Sequence, residues 1–106
     1  MSHQTYKNCI EACTACAVEC EHCGDACLGK AEMADCARAC RDCADLCWIG
    51  SAFMSRGGLA IADLCRTCAR ICDLCAAECG KHPNDHCRRC ADACRRCAEE
   101  CRRVAA

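Results

Sequence analysis

The sequence predicts an all-α fold, an antiparallel up-down-up-down four-helix bundle with a Cys-lined interior. Three observations predict it. The 20 cysteines fall into four clusters in which the spacing alternates strictly between three and four residues, the a/d seam of a bundled helix with cysteine in place of leucine. Alanine, also 20 residues, and charged side chains fill the positions between the seams, as helix propensity and an amphipathic surface require. The breaks between clusters are short and carry helix stop and start signals.

The first helix is expected near residues 3–28 and holds Cys9, Cys13, Cys16, Cys20, Cys23 and Cys27, with Gly29 as its stop. The second, near residues 32–55, holds Cys36, Cys40, Cys43 and Cys47, and Gly57-Gly58 separates it from the third. The third, near residues 58–80, carries Cys65, Cys68, Cys72, Cys75 and Cys79 and is closed by Gly80. Pro83 is placed to open the fourth, near residues 83–104, with Cys87, Cys90, Cys94, Cys97 and Cys101. Connections this short make neighbouring helices antiparallel.

A chain of 106 residues fits one domain, 1–106, and Leu, Ile, Val and Phe together supply only 12 of them. That is too few for an aliphatic core, while a net charge of −1 argues against disorder. The thiols must therefore occupy the interior. Near-neutral charge gives no general attraction to nucleic acid or to an anionic membrane. The arginine pairs Arg88/Arg89, Arg95/Arg96 and Arg102/Arg103 alternate with Asp85, Asp92, Glu99 and Glu100, which reads as a solvated helix face. Met1 to Asn8 lacks an apolar signal region and no stretch approaches a membrane span. The expected location is cytoplasmic, where thiols stay reduced and cysteine patterns point to metal or redox chemistry.

Inert thiols would pack a bundle poorly, so the cysteines are expected to act through their chemistry. Partners three or four apart on one helix cannot form disulfides, although pairs across helices could. Zinc and iron–sulfur sites usually draw their four cysteines from loops, whereas a helix presents its thiols in a row. Cu(I) fits the row: it is soft, prefers thiolate and accepts low coordination numbers. Cys-x-x-x-Cys pairs such as Cys9/Cys13 and Cys97/Cys101 can each chelate one ion, leaving Cys65 and Cys87 to bridge elsewhere. One monovalent cation per thiolate also neutralises the interior, which divalent zinc at four thiolates does not. The alternative is a thiol-rich zinc buffer or a redox-active, disulfide-forming helical protein. No single cysteine stands beside a distinctive base, so no enzyme activity is expected.

From Cys9 to Cys101 the chain resembles the bacterial copper storage proteins, four-helix bundles with a Cys-lined interior, and among them the cytosolic branch without an export signal. The resemblance implies storage of many Cu(I) ions per monomer, no catalysis and a homotetramer. Leu46, Ile49, Leu64, Ile71 and Leu74 flank the seams and are candidates either for that association or for packing between neighbouring helices.

Extending each seam distinguishes the two ends of the bundle. One gathers Tyr6, Met54, Ile61 and Val104, with Trp48 and Phe53 nearby, and reads as an apolar plug with no ligand role for Met54. The other gathers Met33, His82 and His86, whose thioether and imidazole groups are competent copper ligands. That end is the expected mouth; His3 and His22 lie off the seam and are expected in solvent.

Overall fold

The computed structural model describes the backbone of residues 1–106 and every side chain except that of Ser2. Its helices are α1 (Ser2–Thr5), α2 (Lys7–Ala26), α3 (Ala34–Arg56, led in by the 3-10 turn Ala31–Met33), α4 (Ile61–Cys79) and α5 (Asp85–Ala105). The four long helices form a ring in which α2 packs on α3, α3 on α4, α4 on α5 and α5 back on α2. The resulting body measures 43 × 20 × 19 Å, the cross-section of four helices and the length of one. None of the helices is long and apolar enough to cross a membrane among the described residues.

Small side chains allow this close approach. Every seam cysteine is buried, and Ala17, Ala44, Ala69, Ala76, Ala91 and Ala98, each directly following a seam cysteine, are buried beside them. A Cβ placed on Gly24 of α2 would lie 3.4 Å from Cys40 Cβ of α3, so the two backbones meet closely there. The opposite faces carry ion pairs on the surface, including Arg89 with Glu19 between α5 and α2 and Arg102 with Asp73 between α5 and α4. Pairs this exposed contribute little to stability.

Three helix boundaries differ from the sequence expectation. Tyr6 interrupts the first helix with φ −105° and ψ 19°, dividing it into α1 and α2. The third helix begins at Ile61, because Gly57 (φ 68°) and Ala60 (φ 57°) both take left-handed backbone between α3 and α4. Gly57 ends α3 in a Schellman arrangement, the Gly58 N–H donating to Phe53 O at 2.8 Å. Pro83 precedes the fourth helix instead of opening it: Asn84 is extended (φ −63°, ψ 142°) and the helix starts at Asp85. Gly80 does close α4, but with ordinary helical dihedrals.

Candidate metal centre

Helix α2 contributes five thiols and its C-cap residue Cys27 a sixth, α3 four, and α4 and α5 five each, and all 20 point into one interior channel of sulfur. Along single helices the i,i+4 sulfurs of Cys16/Cys20, Cys43/Cys47, Cys75/Cys79 and Cys97/Cys101 stand 3.9 to 4.0 Å apart. Across helices they are as close or closer. Cys36 and Cys79 are 3.4 Å apart, Cys13 and Cys97 3.4 Å, Cys16 and Cys94 3.6 Å, and Cys43 and Cys72 3.6 Å. The isolated-pair picture drawn from sequence is therefore incomplete, since pairs on one helix are only one kind of edge in a mesh. With metal–sulfur bonds of about 2.3 Å, a separation of about 4 Å is the edge of a three-coordinate site, shorter than a linear one needs.

Groups of four sulfurs lie with all donors within 4.8 Å of one another. Cys13, Cys68, Cys97 and Cys101 form one such group, Cys16, Cys20, Cys43 and Cys94 another, and Cys20, Cys75, Cys90 and Cys94 a third, each drawn from three helices. The rows interlock, so geometry alone admits a tetrahedral four-thiolate site as well as a low-coordinate one. Charge separates them. No polar or charged residue is buried among the described residues, so the interior holds no fixed cation to balance thiolates.

Thiols in the middle of the channel perturb one another reciprocally: a hydrogen bond from Cys20 lowers Cys16, and the same contact raises Cys20. Hydrogen bonding with Cys20 brings Cys90 down to about 7, and hydrogen bonds with Cys101 and Cys13 do the same for Cys97. At the end formed by the C-terminus of α2 and the N-terminus of α5, burial dominates. It raises Cys27 and Cys36, and pushes Cys87 up to about 12.

The same end holds His86. Its Nδ1 lies 3.3 Å from Cys23 Sγ and 3.5 Å from Cys87 Sγ, and with Cys27 these form a mixed nitrogen–sulfur group. Burial first, then the charges of Lys30, His22 and Arg89, lower the His86 pKa and favour the neutral, ligating imidazole. Met33 is buried against the thiol core. His82 is half-buried, and among the described residues no side-chain hydrogen bond joins it to a sulfur; its backbone N–H donates to Cys79 O at 3.1 Å. His3 and His22 are exposed, the His22 ring facing that of His86 with centroids 6.4 Å apart.

At the opposite end Tyr6, Ile61 and Val104 pack on the core, but Trp48 does not belong with them. It lies on the outer surface, its Nε1 donating to Glu21 at 3.2 Å. Phe53 is half-buried with the Arg56 guanidinium 4.8 Å above its ring. A cleft of about 470 Å³ beside Tyr6 and Val104 reaches Cys9, so this end is less sealed than a plug. Met54 is fully buried, 3.9 Å from Cys65 Sγ. Its place was legible as the step after Cys47 and Gly50 in the seam.

Comparison with known proteins matches residues 2–106 to the family model described as copper storage protein. Apo-Csp3 (copper storage protein 3) from Bacillus subtilis is 44% identical, with a TM-score of 0.90 over 94% of this chain and 98% of that one. The Cu(I)-bound copper storage protein BsCsp3 is 40% identical, with a TM-score of 0.90 over the whole of both chains. A cytosolic copper storage protein from Streptomyces lividans, loaded with five coppers, is 35% identical, with a TM-score of 0.91 over 98% and 94% of the two chains.

Proposed function

Because the chain belongs to the copper storage protein family, we propose that it stores many Cu(I) ions per monomer on the cysteine thiolates inside one four-helix domain. One observation carries the reading. Twenty thiols are buried in one interior, all but Cys27 and Cys65 with another thiol sulfur within 4.0 Å, and no buried cation is available to compensate their charge among the described residues. Each thiolate must therefore acquire its neutralising charge with the ligand. Cu(I) supplies it at one ion per bridging sulfur, whereas zinc at four thiolates leaves two negative charges in a dry interior.

All 20 cysteines are assigned as metal ligands, with Met33, His82 and His86 as transfer ligands at the end that also holds Cys27, Cys36, Cys79 and Cys87. The contact of His86 with Cys23 and Cys87 supports this for His86, and burial beside the core supports it for Met33. His82 is assigned on its place in the turn following Cys79. The chain works in the cytoplasm, assembles as a homotetramer and performs no catalysis. Exposed Ile49 and Leu74, rather than the half-buried Leu46, Leu64 and Ile71, are the side chains left free for that assembly.

Anaerobic titration of the reduced protein with Cu(I) against a competing chelator tests the reading. Capacity is expected on the order of one ion per thiol where sulfurs bridge, and no less than about one per Cys-x-x-x-Cys pair. Saturation at about one or two ions per chain, or preference for Zn(II) in a parallel titration, would replace the storage reading with the buffer reading.

A further inference from the structure

We propose that Met54 is a copper ligand, completing a thiolate–thioether site with Cys65 at the end of the bundle remote from His86; the assignment rests on Cu(I) storage by the chain. Cys65 has no cysteine four residues away on its own helix, since Ile61 and Ala69 occupy those positions. It needs a partner from another helix. Helix α3 meanwhile lacks thiols at this end. The alternating steps that carry its seam through Cys43 and Cys47 continue to Gly50 and Met54, level with Cys13, Cys68 and Cys65 of the neighbouring helices.

Gly50 and Met54 act together. Both are buried in α3, and a Cβ on Gly50 would lie 3.7 Å from Cys13 Sγ and 4.0 Å from Met54 Cε. The missing side chain gives the methionine methyl room, and the thioether sulfur lies 3.9 Å from Cys65 Sγ. That separation matches the edge of about 4 Å expected between two sulfurs on one three-coordinate metal. Cys9 and Cys101, whose sulfurs lie 3.7 Å apart on α2 and α5, are the neighbouring thiols from which a third sulfur would come.

The chemistry suits the end of a thiolate stack. Inside the channel a thiolate can share its charge between two ions, but at the last layer there is no further ion to bridge. A thioether is a soft, neutral donor, so Met54 fills a coordination position without adding charge: Cu(I) is balanced by Cys65, while the third sulfur stays shared with an ion of the next layer. Binding exchanges the Cys65 proton for Cu(I), and no electron is transferred.

Selenium-edge X-ray absorption on selenomethionine-labelled, Cu(I)-loaded protein tests the assignment, because selenium reports bonding to copper directly. A selenium–copper shell at bonding distance is expected in the wild type, should persist in Met33→Leu and should weaken or vanish in Met54→Leu, a volume-conserving change that keeps the interior apolar. No such shell in the loaded wild type, or a shell abolished by Met33→Leu alone, would overturn the proposal. If Met54→Leu fails to fold, the wild-type and Met33→Leu spectra decide the question without it. Uptake of only about one or two ions by the labelled protein would instead reject the storage reading, whereas full uptake without the shell would reject Met54 alone.

Discussion

Cys36, in the first turn of α3, and Cys79, the last residue of α4, hold their sulfurs 3.4 Å apart across the bundle. This is closer than the pairs within single helices, and it lies at the end proposed as the mouth. On the proposed storage reading, metal and oxidant compete for the same two thiols. Treating reduced, metal-free protein with hydrogen peroxide should convert one of them to a sulfenic acid, which condenses with the other to a disulfide and water. Peptide mass spectrometry should find the Cys36–Cys79 cross-link in the metal-free protein and strongly suppressed after Cu(I) loading. Equal rates in both forms would mean that copper does not occupy this pair.

The connection between α3 and α4 places one glycine and one alanine in left-handed backbone, Gly57 at φ 68° and Ala60 at φ 57°. An alanine pays about 1 kcal/mol for that conformation and a glycine does not. Gly57→Ala should destabilise the metal-free protein by about 1 kcal/mol, and Ala60→Gly should stabilise it by about 0.5 kcal/mol or more. Chemical denaturation followed by circular dichroism would measure both. It requires that the metal-free protein be helical, as alanine-rich helices and neutral thiols allow. A metal-free chain with a coil spectrum would show that copper creates the fold.

The seams were legible because every step obeys one period, and a cysteine at period 3.5 admits no second helical face. The turn at Ala60 was not, because nothing in an alanine announces a positive φ; only the neighbouring chain path imposes it. The mesh of sulfurs was also out of reach. Sequence spacing gives neighbours along a helix, such as Cys16 and Cys20, but the 3.4 Å approach of Cys13 to Cys97 depends on how two helices are staggered. Trp48 was drawn towards the apolar end by its hydrophobicity, yet its indole N–H bonds Glu21 on the surface. Met54 was legible as the seam position after Gly50, but spacing along α3 could not give the 3.9 Å approach of its sulfur to Cys65 on α4.

The end thiols predict how the metal-free protein responds to alkali. Burial raises Cys27, Cys36 and Cys87 above the ordinary 9.0, Cys87 to about 12, while in the middle of the channel reciprocal hydrogen bonds raise one sulfur as they lower its neighbour. A raised native pKa means that the folded chain binds more protons than the unfolded one between these values, so stability falls as pH rises through that window. The thermal midpoint of the metal-free protein should decline from about pH 9 upward, and less steeply in Cys87→Ala. Cu(I)-loaded protein carries no thiol proton at these positions and should show no such decline. An equal decline in the loaded form would separate it from thiol ionisation.

Entry at the His86 end predicts a kinetic phenotype without a capacity phenotype. Imidazole and thioether at Met33, His82 and His86 would receive copper and pass it to Cys23, Cys27 and Cys87, the thiols grouped with His86. Replacing all three with alanine should slow uptake or release severalfold and leave total capacity almost intact, because the thiols hold the store. Protonation supplies the sign of the pH dependence. His86 is held below the ordinary 6.5 by burial and by the charges of Lys30, His22 and Arg89, so it stays neutral, and able to ligate, through pH 6.5 and loses that ability only below it. Thiol ionisation also changes with pH, so the histidine contribution is the ratio of wild-type to triple-variant rates at each pH, measured by stopped flow. That ratio should hold near pH 6.5 and fall towards unity under more acidic conditions. The cleft of about 470 Å³ that reaches Cys9 at the far end is the competing entrance. Identical rates for the two proteins, with faster uptake after Tyr6→Ala or Val104→Ala, would move the mouth there.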